Sequence, residues 1–213
     1  MTKLLLIRHG ESQANQLGIY AGHTDFALSE KGLKQAKLTA EFIAKHYAVD
    51  GVYASDLKRA YQTAEAAAEQ LGLTVIAKKG LREIFAGEWE GHPFDRLVED
   101  FKEDYATWLT DIGNAVCTGG ESVKELQQRV VGTLQEIAEE NEGKTIVIGT
   151  HATPVRVAQC TAMGKPIHAL NEVPWATNAS VTELIYDKGV WSLGQVCIDE
   201  HLADLKTSFP KNV

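Results

Sequence analysis

Leu4-Leu5-Leu6-Ile7 runs without a polar spacer into Arg8-His9-Gly10-Glu11-Ser12. An apolar run this short, bounded by Lys3 and Arg8, reads as a strand buried on both faces, the kind found inside parallel sheets. The strand then carries a cation and an imidazole to its own carboxyl end.

Outward from this strand the pattern alternates. Ser29–His46 holds Leu33, Ala36, Ala40, Phe42 and Ile43 at helical spacing, and Val49–Ala54 follows as a short strand. Ser55 is in position to cap a helix over Asp56–Leu71, closed by Gly72, and Leu73–Ile76 returns to strand. Ser122-Val123-Lys124-Glu125 has the form of a capping box. It opens a helix to about Glu140, with Leu126, Val130, Leu134 and Ile137 facing inward. Lys144–Gly149 is a further strand and Pro154–Met163 a helix. Val181–Tyr186 and Val190–Val196 form a hairpin turned at Asp187-Lys188-Gly189, and the weakly periodic His201–Val213 reads as a loose tail. The alternation predicts an α/β fold, a three-layer α/β/α sandwich around a mainly parallel sheet. Residues 1–213 read as one domain with a helical flap inserted at about 91–118, where Leu97, Phe101, Tyr105, Trp108 and Ile112 recur every three or four positions.

Composition narrows the function by exclusion. The net charge is −8 and no long Lys/Arg stripe appears, which argues against a protein that binds nucleic acid through its phosphates. No apolar run is long enough to span a bilayer, so no membrane partner is expected. No apolar leader precedes the first strand, and a cytoplasmic location is expected. Cys117, Cys160 and Cys197 fall at neither disulfide-framework nor zinc-site spacing, so neither is indicated, and no cofactor is expected.

In open α/β sheets ligands bind beyond the carboxyl ends of strands. The first strand ends in Arg8-His9-Gly10. The second ends at Ser55, with Arg59 one helical turn on, and Lys144–Gly149 ends in Thr150-His151. Three strands thus bring two arginines and two histidines to one edge. Such a cluster suits phosphoryl transfer, because guanidinium forks pair with phosphate oxygens at any working pH. Arginines beside His9 favour its neutral form, which keeps the lone pair a nucleophile needs. Gly10 lets the backbone approach a ligand closely.

The ordered motifs LIRHGES with Asn15, AGHTDFALSEKG (21–32), SDLKRAYQTA (55–64), LREIFAGEWEG (81–91), GGES (119–122), GTHATPVR (149–156) and NASVTEL (178–184) resemble those of the histidine phosphatase superfamily, the phosphoglycerate mutase-like clan. The resemblance spans about residues 3–197. It implies that His9 is the nucleophile and forms a phosphohistidine. Arg8, Arg59 and His151 would grip the phosphoryl oxygens, and Asn15 would touch the same phosphate. Glu83 would be the proton donor, with Glu88 and Glu90 solvated or structural. Ser12, Ala21, Gly22 and Ala152 would line the phosphate and substrate side. The resemblance implies no metal, because arginines supply the positive charge.

Three positions depart from the family pattern. Ala152 stands where Gly commonly follows the second histidine, Ala21 where Gln commonly reaches the substrate, and Ala27 where Pro is usual. The first two suggest an unusual substrate pocket. The flap carries Asp95, Glu99, Asp100, Glu103, Asp104 and Asp111 against only Arg96 and Lys102, and so lacks the cations a doubly anionic mutase substrate requires. The expected activity is therefore hydrolysis of a small phosphorylated metabolite. The alternatives are a phosphoglycerate mutase-type transfer, a noncatalytic phosphate-binding module and a metal hydrolase built on His9, His23 and His151.

Overall fold

A computed structural model describes residues 1–207. Six strands form one sheet: β1 (Thr2–Arg8), β2 (Gly51–Ala54), β3 (Val75–Ala77), β4 (Thr145–Thr150), β5 (Val181–Asp187) and β6 (Val190–Leu193), in the order β3-β2-β4-β1-β5-β6. From β3 to β1 all neighbours are parallel, whereas β5 runs antiparallel to β1 and β6 antiparallel to β5.

The β1 run is apolar throughout because both of its faces are covered. Leu4 and Leu6 enter one core with Tyr53, Ile146 and Ile148, while Leu5 and Ile7 enter another with Val52, Ala54 and Val147. The second core is roofed by α2 (Glu30–His46) and α3 (Lys58–Leu71), through Ala40, Ile43, Ala64, Ala67 and Ala68. The first is roofed by α6 (Val123–Glu140) and α7 (Ala152–Ala162), through Leu126, Val130, Leu134, Ile137, Val155 and Val157. The three-layer sandwich follows from this alternation of side chains along each strand.

Several local expectations change. Leu33 is 51% exposed, and the buried stripe of α2 instead takes Gln35, whose amide bonds the Glu11 N–H and the Leu205 carbonyl. Ser55 does not cap α3: that helix begins at Lys58, and Leu57 precedes it with no side-chain cap. The third strand starts at Val75 and the sixth ends at Leu193. Between Gly91 and Thr118 there is a pair of short helices, α4 (Phe94–Asp100) and α5 (Lys102–Thr110), broken at Phe101, where ψ is 46°. Leu97, Tyr105, Trp108 and Ile112 are buried there, while Asp95, Glu99, Asp100, Glu103 and Asp104 face solvent. A short helix, α1 (Gln13–Leu17), has no counterpart in the sequence reading. The first part of the expected tail is a 3-10 turn, Glu200–Leu205, anchored by fully buried Leu202 and by His201 stacked on Phe42. The rest of that tail, residues 208–213, lies outside the described residues. No helix among the described residues is long and apolar enough to cross a membrane.

Candidate active site

The carboxyl end of β1 is held from both sides. The His9 N–H donates to the Thr150 carbonyl at 2.9 Å, and the Ala179 N–H donates to the Arg8 carbonyl at 2.9 Å. Gly10 is needed for a backbone crossing rather than for a ligand. A Cβ there would lie 2.6 Å from the Gly32 carbonyl oxygen, and one on Gly32 would lie 2.0 Å from the Glu11 oxygen. The loop after β1 therefore sits directly on the first turn of α2. Ser12 and Asn15 then close a capping box over α1. That engagement accounts for Ser12, whose hydroxyl accepts from the Asn15 N–H and donates to Asn15 Oδ1.

His9 is only 4% exposed, and its Nδ1 lies 2.7 Å from the Gly10 carbonyl oxygen. A carbonyl can only accept, so Nδ1 carries the hydrogen and Nε2 keeps its lone pair. Burial first, then Arg59 and Arg8, hold the ring well below the usual histidine range, so it stays neutral. Arg59, on the first turn of α3, is fully buried and donates to the carbonyls of Gly22 (2.8 Å) and Thr24 (3.1 Å). Arg8 donates to the Ala176 carbonyl at 2.6 Å, and burial lowers it to about 10, still cationic at neutral pH.

His151 follows β4 and immediately precedes α7. Its ring meets His9 edge-on at 5.3 Å, and it is wholly buried. Nε2 lies 2.8 Å from Ser55 Oγ, whereas Nδ1 is buried with no hydrogen-bond partner. Ser55 Oγ also accepts from the Leu57 N–H at 3.3 Å. The serine read as a helix cap is thus the support of a histidine 96 positions further along the chain. Burial, then Arg59 and His9, keep His151 neutral as well.

Glu83 lies on an irregular segment that is bolted down from behind. Arg129 donates to the carbonyls of Gly80, Arg82 and Glu83 and forks onto Glu121 at 2.7 and 2.9 Å. The Glu83 carboxylate accepts from the Ile84 N–H at 2.9 Å and the Thr153 N–H at 3.4 Å. Glu90 is tied to the N–H groups of His23 and Ala86 and to the Thr24 hydroxyl, which gives it a structural place in the loop carrying Ala21 and Gly22. Ala152 and Thr153 open α7, where the first backbone N–H groups lack intrahelical partners.

Arg8, His9, Ser12, Asn15, Ala21, Gly22, Arg59, Glu83 and Ala152 line one cavity of about 160 Å³. His151 is not among the lining residues, but its ring packs directly against that of His9, which is. Sequence reasoning missed Ser55, Arg129 and Asn178 as members of the site. Asn178 donates to the His9 carbonyl at 3.0 Å and to Asn15 Oδ1 at 3.4 Å, which occupies the Asn15 oxygen; its amide N–H groups have no partner among the described residues. Thr207 closes the rim through a 2.9 Å bond to Asn178 Oδ1. No group of three or more His, Cys, Asp or Glu among the described residues has the arrangement of a metal site.

The chain is similar to several known proteins. Phosphoserine phosphatase 1 of Hydrogenobacter thermophilus is 38% identical over 164 residues, 77% of each chain. The adenosylcobalamin/alpha-ribazole phosphatase of Salmonella typhimurium is 31% identical over 204 residues, 96% of this chain and 94% of its own length. Among solved structures, YhfR of Bacillus stearothermophilus superposes with a TM-score of 0.89 at 26% identity, covering 95% of this chain and 100% of that one. The profile of the histidine phosphatase superfamily (branch 1) matches residues 4–199, so the chain belongs to that superfamily.

Proposed function

We propose that the chain is a cytoplasmic, metal-independent phosphomonoesterase that hydrolyses a small phosphorylated metabolite through a phosphohistidine on His9. The observation that carries the reading is the state of His9. Its Nδ1 hydrogen is committed to the Gly10 carbonyl, its ring is held neutral, and its partner-free Nε2 belongs to a cavity that two buried arginines share. We also read the chain as one domain in which residues 91–118 form a flap, with α4 and α5 walling the leaving-group side.

In the first half-reaction the Nε2 lone pair attacks phosphorus in line with the ester oxygen, and the P–O bond breaks as the N–P bond forms. Arg8 and Arg59 offset the charge spread over the phosphoryl oxygens, helped by the Asn15 amide and the Ala152 N–H. The leaving oxygen takes its proton from the carboxylic acid form of Glu83. In the second half-reaction Glu83, now a carboxylate, removes a proton from water as that water attacks phosphorus. The N–P bond breaks, its electron pair returns to Nε2, and inorganic phosphate leaves. The unpaired buried Nδ1 of His151 supports a further donor role toward the phosphoryl group. That role takes the tautomer in which the Ser55 hydroxyl, while accepting from the Leu57 N–H, donates to Nε2 and the His151 hydrogen sits on Nδ1.

The substrates named for the relatives, phosphoserine and alpha-ribazole phosphate, mark the size class. The test is hydrolysis of p-nitrophenyl phosphate in the presence of EDTA, with label from a phosphorus-32 substrate trapped on the protein. The expected label is acid-labile and base-stable, and is absent in His9→Ala together with turnover. Undiminished hydrolysis by His9→Ala overturns the mechanism.

A further inference from the structure

The cavity has two ends of opposite character. One holds Arg8, His9, Arg59 and Asn15, and the other is walled by Ile19, Tyr20, Phe94, Trp108 and Trp175. These aromatic residues come from three separate segments fastened to one another. The Phe94 N–H donates to the Gly18 carbonyl, and the Tyr20 N–H to the His92 carbonyl, so the start of α4 is fixed against the chain leaving α1. Tyr20 packs against Phe94 at 5.5 Å and edge-on against Trp108 at 5.9 Å. Burial pushes the Tyr20 hydroxyl well above its usual range, so the wall brings no charge of its own. Trp175 comes from the loop before β5, and the Arg156 guanidinium covers it at 4.1 Å. Arg156 also donates to the carbonyls of Leu170 and Val173, and so braces the loop that presents the indole.

The charges around this wall are as informative as the rings. Arg8 and Arg59 are the only cations lining the cavity among the described residues, and a phosphoryl dianion needs both. The other charged liners are Glu11 and Glu83. Arg96, the arginine of α4, pairs with Glu99 and Asp100 on the exposed face and does not reach the cavity. A carboxylate carried beside the phosphate would therefore meet indole, phenyl and the acidic Glu11 and Glu83 side chains, with no cation left on the wall to pair with it. A flat, uncharged group would meet rings suited to stacking and edge-on contact.

Resting on the phosphatase reading, we propose that the pocket selects phosphomonoesters whose alcohol part is an uncharged aromatic or heteroaromatic group, and discriminates against those bearing a carboxylate, phosphoserine included. This preference departs from the substrate named for the Hydrogenobacter relative.

The test compares alkyl esters of similar leaving-group strength, so that binding rather than intrinsic reactivity is read. Ethyl phosphate, 2-phenylethyl phosphate and O-phosphoserine are assayed for kcat/KM, with p-nitrophenyl phosphate as the activity control. Burial of one phenyl ring corresponds to roughly tenfold to a hundredfold. The 2-phenylethyl ester is therefore expected to exceed ethyl phosphate by at least about tenfold, and O-phosphoserine to fall below ethyl phosphate. In Trp175→Ala the phenylethyl-to-ethyl ratio is expected to collapse to within about threefold, while Trp175→Phe retains most of it. Phe94→Ala gives an independent reading should Trp175→Ala fail to fold. Phosphoserine turnover equal to or above that of 2-phenylethyl phosphate overturns the proposal and leaves the phosphatase reading standing. No turnover of any ester, p-nitrophenyl phosphate included, overturns both.

Discussion

Replacing Ser55 with alanine removes one oxygen atom that bears on both stability and catalysis. Ser55 Oγ lies 2.8 Å from His151 Nε2 and 3.3 Å from the Leu57 nitrogen, and both of those residues are buried. Without it, both ring nitrogens of His151 lack a partner, because Nδ1 already has none among the described residues. Each newly orphaned buried group costs about 1–3 kcal/mol, so a loss of about 2–3 kcal/mol is expected for the variant. For a chain of this length that corresponds to a drop in Tm of about 5–10 °C. The catalytic effect is separable from this. His151 stays neutral, so its usefulness depends on which nitrogen bears the hydrogen and not on charge. Losing one well-placed donor to a transition state costs about 10²–10³-fold. Ser55→Ala is therefore expected to lose about a hundredfold in kcat/KM toward p-nitrophenyl phosphate at 25 °C, where it is still folded. Calorimetry reads the stability, steady-state kinetics the rate, and nitrogen-15 NMR of the His151 ring its protonated nitrogen. A wild-type ring protonated at Nε2 would refute the reasoning. So would a variant that loses the expected Tm but keeps kcat/KM to within about threefold.

Two further outcomes follow from the same geometry. Glu83→Gln removes the acid but leaves a side chain able to accept from the Ile84 N–H. Its kcat/KM is expected to fall about 10²–10⁴-fold for an alkyl phosphate and less than about tenfold for p-nitrophenyl phosphate, whose oxygen leaves without protonation; equal losses on both esters would contradict a proton-donor role. Stability should also decline in mild acid. His9 and His151 are held well below 6.5 in the fold, so the unfolded chain binds protons that the native chain does not. The unfolding free energy is expected to be level above about pH 7 and to fall below about 6.5, by up to roughly 1.4 kcal/mol per pH unit for each histidine. Urea titrations at several pH values read this slope, and a flat profile down to pH 5 would count against buried neutral rings.

The parts of the site that were legible in the sequence are those that strand ends deliver. Arg8 and His9 follow the β1 run directly, His151 follows β4, and Arg59 sits on the turn after β2. In a parallel sheet those ends converge whatever the loops do. The supporting residues were not legible, because their partners are remote in the chain. Ser55 before a helix has the local signature of a cap, and nothing near it in sequence announces His151, 96 positions away. Arg129 sits on α6 and Asn178 in the loop before β5, and each acts through carbonyls of a different segment. Gln35 displaced Leu33 from the core for a similar reason. A buried amide with two backbone partners outweighs a leucine that the helix turns outward. The break at Phe101 carries no Gly or Pro signal, so the periodic stripe marked a helical flap without showing where it divides.

The bond from Thr207 to Asn178 gives the two ends of the chain unequal standing. Asn178 holds the His9 carbonyl, so Thr207 is linked to the backbone of His9 by two hydrogen bonds in series. Met1, by contrast, pairs with Asp187 at the far end of β1, roughly 23 Å from the cavity along a seven-residue strand. Loss of the Thr207 hydroxyl is therefore felt at the His9 backbone through Asn178, whereas a change at Met1 acts a strand's length away from the cavity.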